Sequence, residues 1–117
     1  EWDTLLSGSI LYDFGDMARS FTNLKEEDDP EKGNNFSLKN YQALKNGFLF
    51  HLNDKLTQKE LENLDLGTKT VIYVQAMRFL TDYLNGDIYY GVTFENQNLD
   101  RSRGSINLLD EMIEKVK

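Results

Sequence analysis

The chain has no cysteine, one proline, one histidine and one tryptophan among 117 residues. Without cysteine there is no disulfide scaffold and no thiolate metal site, and a reducing compartment such as the cytoplasm fits. One proline and 8 glycines exclude low-complexity and collagen-like chains. No stretch approaches the roughly 18 consecutive apolar residues of a membrane span. Positive charge is also scarce. With 13 Lys and Arg against 20 Asp and Glu, the net charge is −7. That balance argues against a nucleic-acid partner, which needs a basic face. It argues equally against an anionic membrane surface. The one histidine, His51, lacks the ligand cluster a metal centre requires and reads as a helix-surface residue.

What is present points to a packed globule. Hydrophobic residues make up 39% of the chain, with 7 Phe and 6 Tyr. The length suits one domain spanning residues 1–117. The chain opens Glu1-Trp2-Asp3-Thr4, without methionine, and so reads as part of a longer protein.

The pattern is helical almost throughout, so the expected class is all-α. Phe14, Met17, Ala18 and Phe21 recur at three- and four-residue steps and predict a helix over 11–23, capped by Asp13 or Asp16. Five acids among the six residues 26–31, with Pro30 among them and Gly33 just after, predict a solvated acidic loop over 24–36. Ser37 is placed to cap a second helix carrying Leu38, Tyr41, Leu44, Phe48 and Leu52 on one face, with Lys45 at its edge and an end near Asn53. Thr57-Gln58-Lys59-Glu60 is a capping box for a short third helix.

The fourth helix, 66–84, has apolar residues nearly all round, which predicts a buried central helix. Its polar residues Gln75, Arg78 and Asp82 fall on one stripe, and Arg78 and Asp82 are spaced to form an ion pair. That stripe reads either as a structural ion pair or as the polar wall of a ligand pocket. Tyr89 and Tyr90 follow as a possible stacking surface. Asn85-Gly86 ends the helix. Ile106, Leu109, Met112, Ile113 and Val116 form the apolar face of a last helix that starts near Asn98 or Ser105.

Three short motifs carry little. Asp13-Phe14-Gly15 matches the magnesium-binding triplet of protein kinases but lacks its upstream context and reads as a helix cap. Asn35-Phe36-Ser37 fits a glycosylation sequon without any sign of secretion. The acidic run lacks the ligand spacing of a calcium loop.

Two longer runs carry a resemblance. Trp2-Asp3-Thr4, Gly8, Leu11-Tyr12-Asp13-Phe14-Gly15-Asp16 and Arg19 form the first. Arg78-Phe79-Leu80-Thr81-Asp82-Tyr83-Leu84, Gly86-Asp87, Tyr89 and Asn98-Leu99-Asp100-Arg101 form the second. Together they resemble the aminoglycoside-phosphotransferase-like superfamily of small-molecule kinases. The nearest group is the N-acetylhexosamine 1-kinases, some of which carry the label mucin-desulfating sulfatase. The resemblance implies the helical C-terminal subdomain of a protein-kinase-like fold, in a parent enzyme that uses ATP and magnesium. It implies metal ligation at Glu1 and Asp3, and contact with an aminosugar by Arg78 and Tyr89, with Asp82 orienting the arginine. Glu1 stands where the family pattern has Asp, and Ser7 where it has Pro. A nucleotide-binding lobe and a catalytic loop of the His-Gly-Asp type are absent from the 117 residues, so this portion is expected to be inactive without the rest of the enzyme. The competing expectation from the residues is a stand-alone helical module that binds a protein through an apolar groove. A second alternative is the same portion of a kinase for choline or an aminoglycoside.

Overall fold

The computed structural model describes residues 2–117, and of residues 2–9 the backbone. The expectation of an all-α fold holds. The helices are α1 (Trp2–Thr22), α2 (Leu38–Leu52), α3 (Gln58–Glu62), α4 (Leu64–Leu84) and α5 (Gln97–Lys115). Among the described residues there is no strand, only an isolated bridge between Asn23 and Phe36. No helix of the described residues is long and apolar enough to cross a membrane.

Helix α4 packs on both α1 and α5, and α2 lies against α1. Phe14 and Ala18 of α1, Tyr41 of α2, Leu64 and Ile72 of α4, and Leu108 and Met112 of α5 form the core together with Phe36. The Phe14 ring meets Phe48 at 4.9 Å and Tyr41 at 6.0 Å in tilted geometry, as the offset quadrupoles of aromatic pairs favour.

Three expectations are corrected here. First, α1 begins nine residues before position 11, so Asp13 and Asp16 lie inside the helix and cap nothing. Asp13 is exposed, and Asp16 instead accepts from Arg19 at 3.1 Å. Asp13-Phe14-Gly15 is a packing element. Phe14 is fully buried, and Gly15 is where α1 and α4 touch. A Cβ at Gly15 would lie 2.8 Å from Val71 Cγ2 and 3.2 Å from both the Gly67 carbonyl and Thr68 Cα.

Second, α4 is not buried all round. Leu64, Thr68, Val71, Ile72, Ala76, Phe79 and Asp82 are buried, whereas Leu66, Tyr73, Val74 and Leu84 are exposed. Two packed neighbours cover part of the cylinder and leave one apolar side open.

Third, the acidic loop is docked rather than simply solvated. The Asp29 and Glu27 carbonyls would lie 2.8 and 2.9 Å from a Cβ on Gly104, so the loop backbone rests on α5. Asn107 donates to the Pro30 carbonyl at 3.0 Å. Glu111 accepts from the amides of Asn35 and Phe36 at 3.0 Å each. Burial pushes the Glu111 carboxyl up, but those amides and Lys115 outweigh it and hold it below the usual range. The charged tips of Glu26, Glu27 and Glu31 stay exposed while the backbone packs. Asn35 is buried and its side chain accepts from the Gly33 amide, so the sequon is not presented for glycosylation.

Other expectations hold. Ser37 caps α2 through the Asn40 amide, and α2 ends at Leu52 with Asn53 as its C-cap. The Thr57–Glu60 capping box is formed, and His51 is exposed. Lys45 does more than edge its helix. It donates to Asp65 at 3.0 Å, and the Tyr41 hydroxyl donates to the same carboxylate. Burial pushes the Tyr41 hydroxyl up, reinforced by Asp65. In α5 the expected face is partly rotated: Leu108 is fully buried and Ile113 is exposed.

Gly15 of α1 and Gly47 of α2 make a matched test. Gly15→Ala gains about 1 kcal/mol of helix propensity, yet presses the new methyl against Val71 and the α4 backbone, which costs about 1–3 kcal/mol. The expected net result in urea unfolding is destabilisation. Gly47→Ala, where an added Cβ meets nothing within 4 Å, should gain the propensity term uncompensated and raise stability by about 1 kcal/mol.

Candidate functional site

The open side of α4 and the loop after it enclose a cleft of about 630 Å³. Tyr73, Val74, Met77, Arg78 and Thr81 supply the helix wall, and Tyr89 and Tyr90 the other. The three residues expected at an acceptor site, Arg78, Asp82 and Tyr89, all border this one cleft. A cavity of this size with an apolar floor and few polar groups suits a small molecule.

The loop is shaped by the end of α4. Asp87 donates its amide to the Asp82 carbonyl at 2.8 Å and Gly86 to Tyr83 at 3.2 Å, the paired bonds of a Schellman stop. Gly86 takes φ +92°, a left-handed conformation that glycine adopts freely, and Asp87 follows at φ +60°. The chain then turns back over its own helix.

The Asp82 side chain holds that turn. Its Oδ1 accepts from the Tyr89 amide at 2.8 Å, and its Oδ2 accepts from the Tyr90 amide at 2.9 Å and from Asn98 Nδ2 at 3.0 Å. Burial pushes the Asp82 carboxyl up, but the amides of Tyr89, Tyr90 and Ile88 and the Asn98 side chain outweigh it and hold it below the ordinary carboxylate range. The expected Arg78–Asp82 ion pair is not formed. Asp82 is buried and turned toward the loop, while Arg78 is exposed and has no ion pair among the described residues. The i, i+4 spacing allows such a pair, but the loop amides would be left unpaired without the carboxylate, whereas the exposed arginine can stay hydrated. Asp82 therefore orients the tyrosines and not the arginine.

Asn98 and Arg101, which the sequence offers as part of the second resemblance run, have a role here that their types and spacing do not reveal. Asn98, fully buried, donates from one amide nitrogen to both Asp82 and Asp87 at 3.0 Å and accepts from Arg101 at 2.8 Å. Arg101 also donates to the Gly91 carbonyl at 3.1 Å, fixing the far end of the loop. Tyr90 packs against Phe79 in tilted geometry with ring centroids 4.8 Å apart, and its hydroxyl accepts from Gln75 at 3.1 Å. Tyr89 leans edge-on against Tyr90 and is 82% exposed, so its ring is free to meet a ligand. The available signal was the polar series Asn98, Ser102 and Ser105 on the core side of α5, at helical spacing and all buried. Ser102 donates to the Ala76 carbonyl at 2.9 Å, so that series is the polar seam between α4 and α5.

Of the two positions expected to bind metal, Glu1 lies outside the described residues, as does the side chain of Asp3. Among the described residues no group of three or more His, Asp or Glu side chains is arranged to hold a metal ion.

Asp82→Asn keeps the shape but replaces one acceptor oxygen with a donor facing backbone amides. At neutral pH the variant should be less stable than wild type, with faster exchange of the Tyr89 and Tyr90 amides. Because the carboxyl is held below its ordinary value, its stabilisation is present at neutral pH and lost as pH falls through the lowered value. The gap between the two proteins in urea unfolding should therefore close below about pH 4.

No protein-family model matches this sequence.

Proposed function

We propose that this chain is the acceptor-binding, C-terminal helical portion of an ATP-dependent N-acetylhexosamine 1-kinase with a protein-kinase-like fold. Phosphoryl transfer would go to the anomeric hydroxyl of the sugar. The observation that carries the reading is the convergence of Arg78, Tyr89 and the Asp82-held turn on one cleft. These are the positions at which the resemblance to that kinase group implies aminosugar contact. Their chemistry is suitable. A guanidinium fork without an ion pair among the described residues can donate to two sugar oxygens at once, and an exposed tyrosine face can lie against the ring. The tyrosines stand on a turn fixed by four hydrogen-bonding groups, so little order has to be gained on binding. ATP would be held by the parent enzyme outside this portion, and magnesium with the help of Glu1 and Asp3 at its start.

The cleft also weighs between acceptors. An aminoglycoside is polycationic and calls for free carboxylates, and choline, although aromatic faces suit it, would meet the positive charge of Arg78. Asp82, the one acid among the described residues bordering the cleft, has its oxygens committed to the loop and Asn98, and Arg78 places positive charge there. A neutral, oxygen-rich acceptor is the better match.

In the complete enzyme, Arg78→Ala should raise the sugar KM about 10- to 100-fold, as expected for losing hydrogen bonds from a charged donor, with ATP KM little changed. An unchanged sugar KM would overturn the reading. In the chain itself, N-acetylglucosamine should shift the ring signals of Tyr89 and Tyr90, and Arg78→Ala should abolish the shift.

A further inference from the structure

On the other side of the Tyr89–Tyr90 wall lies a second cleft, of about 430 Å³, bordered by Tyr12, Asp16, Arg19, Glu27 and Arg101. Two guanidinium groups from different helices meet here on one carboxylate. Arg19 of α1 is anchored by Asp16, which accepts from its Nε at 3.3 Å and from NH2 at 3.1 Å, and turns its NH1 to Glu27 at 3.4 Å. Arg101 of α5 is anchored through NH1 by Asn98 and the Gly91 carbonyl, lies 5.8 Å from the Phe79 ring, and turns its Nε to the other Glu27 oxygen at 3.5 Å. Both arginines are thus held from behind and point their remaining donors at one place.

Glu27 fills that place poorly. Its two contacts are longer than the roughly 2.7–2.9 Å of a good charge-assisted bond. Its side chain is 47% exposed, against 20% and 18% for the two arginines. Nor does the acidic loop depend on it. The loop is also tied by Gln97 donating to Asp28 at 3.0 Å, by Asn107 donating to Pro30, and by its backbone seated on Gly104. A tetrahedral group with three oxygens and nearly two negative charges would span two preset guanidinium forks better than a carboxylate does. The tyrosine rings beside it offer an apolar surface for whatever carries that group.

We propose that Arg19 and Arg101 form a binding site for the phosphate of a small phosphomonoester, and that Glu27 is its internal occupant, displaced when the ester binds. The site is separate from the Arg78 cleft and does not rest on the aminosugar reading.

The test is a titration of the isotopically labelled chain at low ionic strength, following the arginine Nε–H signals by NMR. The probes are phenyl phosphate and inorganic phosphate. The Arg19 and Arg101 signals should move together and saturate, with phenyl phosphate binding more tightly. Glu27→Gln should strengthen binding about fivefold, the weight of an exposed ion pair removed from competition. Arg19→Gln should abolish it. Equal affinity for the two probes would overturn the phosphomonoester assignment in favour of free phosphate. Unmoved signals in both wild type and Glu27→Gln would overturn the site and leave Glu27 as a loop clasp. Those two proteins decide the matter even where Arg19→Gln fails to fold.

Discussion

The Asp82 carboxylate sits where helix electrostatics least favour it, in the last turn of α4, at the negative end of the helix dipole. It is also buried. Both facts would raise its proton affinity, yet the group is held below the ordinary range because the returning loop aims backbone amides at it. The geometry of the candidate site depends on that exchange. The loop's amides would otherwise lack partners, and the carboxylate would otherwise lack counter-dipoles. Each solves the other's desolvation problem. From this one group the bonds run outward: to Tyr89 and Tyr90, to Asn98 and Asp87, then through Arg101 to Gly91 and to Glu27 on the acidic loop.

Two clefts share the wall that this network builds. One presents Arg78 and an exposed tyrosine face, the other a pair of anchored arginines. Because Tyr89 and Tyr90 border both, a change in the turn would be felt on both sides. The net charge of −7 gives no hint of this. The acids of the loop face outward or are spent on protein partners, and Arg78, Arg19 and Arg101 border the clefts.

Local signals in the sequence translated well into structure. The Ser37 cap, the Thr57–Glu60 box and the Asn85-Gly86 stop each rest on contacts within a few residues. The failures are all of one kind: they depend on what a segment meets in space. Asp13-Phe14-Gly15 looks like a helix start because Asp and Gly favour one. Only the close approach of α4 explains a glycine in mid-helix. The acidic loop looks like a solvated tract because its side chains are charged, whereas its carbonyls are what dock. Arg78, Asp82 and Tyr89 could be picked out by type and spacing, and they do border one cleft. The partner of Asp82 could not, because no sequence rule reveals that a loop will turn its amides back onto the helix it has just left. Asn98 and Arg101, on the next helix, were legible as part of a resemblance run and not as the other half of the network.

The central claim is that Asp82 and the amides of Tyr89 and Tyr90 are one unit. The most direct measurement is a carbon-detected NMR titration of the Asp82 carboxyl, with the two amide signals followed in the same samples. The account predicts a carboxyl that titrates below ordinary aspartates, with both amides shifting at that same pH. An ordinary titration with amides that do not respond to it would contradict the account.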